Sequence, residues 1–164
     1  MKTLAGTAIM LLIMVFSAEA GGLPWPSVAA GKLYLPFGLQ WFMEGARDKI
    51  AAYGEPECHE SGCRWMAERP EGTLFFLQAY HFGSLVGFRM EYMLKRDEGL
   101  DYRERLAELE KRLTDWVVTR SGDPLMSMLG RDRSFKAESK DTRMMAACHE
   151  GEHTITIILD FHAK

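Results

Sequence analysis

The chain has 164 residues, 47% of them hydrophobic, with a formal net charge of -3 and three cysteines. That length supplies one domain or two small tandem units, with enough apolar chain to bury a core. A mildly acidic chain without a basic run lacks the footprint of a nucleic-acid binder, so polyanion partners are excluded.

Residues 1–20 read as a secretory signal peptide. Lys2 supplies the positive start, and Ile9 to Phe16 form an apolar centre. Ala18-Glu19-Ala20 then places small residues where signal peptidase reads them. The apolar run is shorter than the ~20 residues that span a bilayer, so cleavage after Ala20 is expected, not anchoring. The compact signal points to a bacterial protein of the periplasm or medium, with no integral span after processing.

Residues 21–31, rich in Gly, Pro and Ala, read as a flexible leader. A short strand is expected at 32–35, closed by Pro36. A helix follows at 43–53, with Met43, Ala46, Ile50 and Ala51 on one face; Gly54 and Pro56 end it. Strands are expected at 63–69, 73–81 and 85–94, the last alternating Val86, Phe88, Met90 and Tyr92 against Arg89 and Glu91. A second helix is expected at 102–120, capped by Asp101 with Glu104. Its apolar stripe is Leu106, Leu109, Leu113, Trp116 and Val117, and Glu108 can pair with Arg112. Gly122 and Pro124 end it, and strands follow at 133–138, 142–148 and 153–161.

Both halves thus run helix, Gly-acid-Pro, then three strands. Gly54-Glu55-Pro56 recurs as Gly122-Asp123-Pro124, and Ala79, His81 and Gly83 recur at the same offset as Ala147, His149 and Gly151. The expected fold class is α+β: two tandem helix-plus-three-strand units, at 32–98 and 99–164, forming an antiparallel sheet with the helices packed on one face.

The opening of the first unit, Leu35-Pro36-Phe37-Gly38-Leu39-x-Trp41, a short helix and Gly54-Glu55-Pro56, looks like that of many small exported bacterial domains. The tandem pair resembles the β-lactamase-inhibitory-protein architecture and the related small outer-membrane assembly lipoproteins, over residues 35–162. Two departures are Glu44, where a Ser or Thr cap would be expected, and the lack of a lipid-acceptor Cys near the cleavage point. The resemblance implies a protein-binding or inhibitory module that displays a sheet face, with an envelope or extracellular protein as partner.

In an oxidising compartment thiols pair. With His59-Glu60-Ser61-Gly62 as a four-residue hairpin loop, Cys58 and Cys63 face each other across a ladder. A non-hydrogen-bonded antiparallel pair has Cα atoms ~4.5 Å apart, within reach of a disulfide. Cys148 is then a free thiol. The competing use is a metal or thiol-redox site drawing on Cys58, His59, Cys63, Cys148, His149 and His153. Against it, neither cluster has ligand-pair spacing, and exported thiols usually oxidise. A Cys148–His149 nucleophile is opposed by geometry, since consecutive strand residues point to opposite faces. No cofactor is expected. No nucleophile elbow, zinc-protease helix or phosphate-binding loop occurs in the sequence, so a non-enzymatic role is expected. Strand 73–81 is apolar on both sides. Phe75, Leu77, Val86, Phe88, Met90, Tyr92 and Trp116 are expected in the core, leaving Phe76 and Tyr80 as a possible partner surface.

Overall fold

The computed structural model describes residues 22–121 and 132–164. The expected signal peptide and the Gly122-Asp123-Pro124 marker lie outside the described residues.

The chain opens with a small hairpin of β1 (Ser27–Ala29) and β2 (Lys32–Tyr34). A 3-10 turn at Pro36–Gly38 and a 3-10 helix at Ala46–Tyr53 follow. Four strands then form a meander: β3 (Glu57–His59), β4 (Gly62–Arg69), β5 (Gly72–His81) and β6 (Ser84–Lys95). Helix α1 (Arg96–Arg112) leads to β7 (Val117–Ser121), β8 (Asp132–Glu138), β9 (Thr142–Glu150) and β10 (Thr154–Ala163). The eight strands make one antiparallel sheet in the order β3-β4-β5-β6-β10-β9-β8-β7.

This overturns the expected pair of helix-plus-three-strand units. The protein is mostly β, because each half contributes four strands and the described residues hold only one α-helix. The expected helix at 43–53 starts late and stays 3-10. Met43 is instead drawn into backbone pairing with the sheet, its carbonyl accepting from Leu85 N–H at 3.1 Å. Left-handed Gly45 (φ 67°) and Gly54 (φ 102°) then confine the helix to eight residues.

The second helix begins earlier and ends sooner than expected. It starts directly at the end of β6, with Asp97 and Glu98 in the first turn where the helix dipole favours acids. Asp101, read as a cap, lies inside the helix and accepts from Arg105 Nε at 2.7 Å. Trp116 lies beyond the helix, its ring N–H donating to Gly31 O at 2.9 Å, and Val117 begins β7. The Glu108–Arg112 pair forms as expected at 3.1 Å, on the exposed side.

Side-chain alternation gives the sheet two unlike faces. Trp65, Phe76, Met90, Leu159, Ala146 and Phe135 are cross-strand partners in one line across six strands, and all are buried. Over this face lie α1, through Tyr102, Leu106 and Leu109, and the 3-10 helix, through Ala46 and Ile50. Residues 22–31, read as a leader, join this layer. Trp25 packs on Tyr102 at 5.6 Å between rings, and Pro24 O accepts the Tyr92 hydroxyl at 2.5 Å.

Candidate functional site

The other face of the sheet carries no helix or strand among the described residues. Its rows mix apolar and charged groups. One row runs Met66, Phe75, Glu91, Ile158, Ala147 and Ser134. The next runs Arg64, Leu77, Arg89, Asp160, Met145 and Lys136. Met66 is 64% exposed, Leu77 46%, Met93 44% and Met145 39%. These are substantial apolar surfaces on strands whose opposite sides are fully buried.

The charges on this face are largely paired with one another. Arg89 contacts Glu91 at 3.0 Å, Arg64 contacts Glu57 at 2.6 Å and His162 contacts Asp160 at 3.1 Å. His149 Nδ1 lies 2.7 Å from an Asp132 carboxylate oxygen at the β8–β9 end of the same face. Paired charge interleaved with methionine makes a face that can shed water without stranding an ion. Methionine also adapts its shape to a partner.

The structure reverses the expected parity of β5. Phe76 is core, 1% exposed, with Tyr53, Phe37 and Tyr92 set edge-on to its ring and Phe88 stacked parallel to it. Tyr80 is half-buried and donates its hydroxyl to the Gln78 side chain. Burial, foremost, pushes the Tyr80 hydroxyl pKa up, although nearby Arg47 pulls it down. Phe75 and Leu77, expected in the core, lie on the open face. The strand is apolar on both sides, so its own pattern does not choose a face, and the one polar residue on the inner side, Gln78, is wholly buried. Its amide donates to Ala46 O at 2.9 Å and its carbonyl accepts from Tyr80, so its hydrogen-bonding groups are satisfied inside the core.

Cys58 and Cys63 are joined in a disulfide at the β3 edge, with Cα atoms 4.1 Å apart. The hairpin is tighter than expected, because His59 and Gly62 pair as the last rung and only Glu60 and Ser61 form the loop. Cys148 is a free, buried thiol on the core face, its pKa pushed up to about 11, mainly by loss of solvent. His149 points to the other face, and His153 is exposed at the β9–β10 turn beside Glu152, at 3.8 Å. The six candidate metal ligands are therefore not brought together. The disulfide occupies two of the thiols, and four strand spacings, about 19 Å, separate β4 from β9. Among the described residues no group of three or more His, Cys, Asp or Glu side chains is arranged to hold a metal ion.

Sequence reading missed Met66, Met93 and Met145 as surface groups. The available signal was their parity: each alternates with a residue now seen in the core row. The chain matches no protein-family model, no curated protein and no solved structure.

Proposed function

We propose that this chain is an exported, non-enzymatic module of the bacterial envelope that binds another protein on the open face of its sheet. The observation that carries the reading is that face itself: eight strands wide, carrying no helix or strand among the described residues, and set with exposed Met66, Leu77, Met93 and Met145 among paired charges. An apolar field of this kind on a folded domain marks an interaction surface. The disulfide fits an oxidising compartment. No helix among the described residues is long and apolar enough to cross a membrane. Export by cleavage after Ala20 is part of the same proposal, and N-terminal sequencing of the exported protein should begin at Gly21.

The test is crosslinking in intact cells followed by pull-down from envelope extract, with wild type and with a Leu77→Arg, Met145→Glu variant. Neither substitution enters the core, so the melting temperature should hold. The partner recovered by the wild type should be lost. Recovery of no specific partner by the wild type, or undiminished recovery by the variant, overturns the reading.

A further inference from the structure

The β5–β6 hairpin closes through a two-residue loop, Phe82-Gly83, between the paired residues His81 and Ser84. Both loop residues have positive φ, 49° and 79°, the conformation of a type I′ turn. The first position of that turn suits Asn, Asp or Gly, whose small or polar side chains tolerate left-handed backbone. Phe82 is none of these, and the residue is 95% exposed. The β1–β2 hairpin supplies an internal control. Its loop, Ala30-Gly31, has φ values of 49° and 72° and makes a turn of the same kind with a methyl side chain. The turn therefore does not need a phenyl ring.

A second aromatic residue repeats the anomaly at the same end of the sheet. Phe42 has φ 62° and is 59% exposed. Its N–H donates to Leu85 O at 2.8 Å, and Leu85 N–H donates to Met43 O at 3.1 Å, so the segment bearing Phe42 is fastened to the base of the Phe82 hairpin. His81 packs against one side of the Phe82 ring, with centroids 4.4 Å apart. Strained backbone and exposed aromatic surface each work against folding. Their coincidence at two linked positions is what a binding anchor requires.

We infer that Phe82, assisted by Phe42, is a projecting anchor that inserts into an apolar pocket of the partner protein. The inference rests on the protein-binding reading above and adds a second contact, separate from the open face. A ring raised on a turn complements a concavity, not a flat surface. The surroundings favour a protein over a lipid surface. Glu44 follows Phe42 closely, Tyr80 N–H bonds Ser61 O beside Glu60, and Arg47 is paired with Asp48 at 3.5 Å. Among the described residues the charges next to these segments are of both signs, not the basic cluster that draws a protein to anionic headgroups.

The test uses the full exported chain with Phe82→Asn, the residue the turn prefers, and Phe82→Ala, which copies the Ala30 turn. Both should keep or raise the melting temperature. Each should bind the purified partner captured by the wild type at least about tenfold more weakly, as loss of an aromatic hot spot does. A photoreactive phenylalanine analogue at position 82 should crosslink to residues lining an apolar pocket of that partner. Wild-type affinity in Phe82→Asn, or crosslinks confined to a flat polar surface, overturns the inference. So does Phe82-dependent sedimentation with vesicles of phosphatidylethanolamine and phosphatidylglycerol. If Leu77→Arg abolishes binding while Phe82→Asn does not, the open-face reading stands and the anchor alone falls. If the wild type captures no protein, both fall.

Discussion

Gly99 on α1 and Ile155 on β10 set how closely the helix rides on the sheet: a Cβ on Gly99 would stand 2.5 Å from the Ile155 Cβ. Neither atom can swing aside, because both are fixed to backbone. Helix propensity favours Ala over Gly by about 1 kcal/mol, while overpacking a closed site costs about 1–3 kcal/mol. Gly99→Ala should therefore destabilise the fold by up to about 2 kcal/mol, as a lower midpoint in urea unfolding. A gain in stability would show that the helix can lift off β10 without cost.

Gln78 offers a prediction against simple hydrophobicity. Gln78→Leu makes a buried position more apolar but strands Ala46 O and frees the Tyr80 hydroxyl. Leaving a buried acceptor unpaired costs about 1–3 kcal/mol, so the variant should melt lower than wild type. Calorimetry on the two proteins decides it.

Glu150 ties the two layers at the start of α1. Its side chain is only 7% exposed and binds both Arg96 and Arg103, the latter at 2.9 Å. Glu150→Gln should cost about 1–3 kcal/mol, since both hydrogen bonds lose charge assistance. The exposed Arg112–Glu108 pair should matter far less, by under about 1 kcal/mol. Parallel denaturation of Glu150→Gln and Glu108→Gln measures the contrast.

The cysteines should titrate in three steps. Native protein should offer no fast thiol to an aromatic disulfide reagent, unfolded protein one, and unfolded reduced protein all three. Reducing the Cys58–Cys63 bond should lower stability by about 2 kcal/mol or less, the entropy of a very short loop. The loss should be felt at the β3 edge, with the core intact.

Cys148 also governs behaviour at alkaline pH. Its folded pKa is raised from 9.0 to about 11, so between those values the native state holds a proton that the unfolded chain releases. Its stabilising contribution is complete below pH 9 and is lost as pH rises towards 11. Wild type should accordingly lose stability more steeply across that window than Cys148→Ala. Equal slopes in pH-dependent unfolding would contradict the buried placement.

Much of the strand pattern was legible because it is local. The seven expected strands all exist, within a few residues of their expected ends. The Cys58–Cys63 bridge followed from the compartment and from two cysteines facing each other across a short hairpin ladder, although the loop is two residues and not four. The edge strands β3 and β7 were missed because β3 is only three residues long, and β7 looked like the last turn of a helix. Trp116 and Val117 fit the helical stripe in spacing, yet the chain leaves the helix at Leu113 and Trp116 is held by Gly31, far away in sequence. Gly99 lies inside α1, ahead of the expected helix start, and its reason for being Gly lies on β10, beyond the reach of local pattern.

The sequence by itself determined where the longer strands run and which thiols pair, since each depends on residues a few positions apart. Only the tertiary structure decided which side of β5 is core. A strand apolar on both sides carries no parity of its own. Trp65 and Met90 on neighbouring strands, and the two partners waiting for Gln78, fixed Phe76 inward. That choice turned Phe75 and Leu77 outward and created the open face, because a one-residue alternation assigns every side chain of a strand at once.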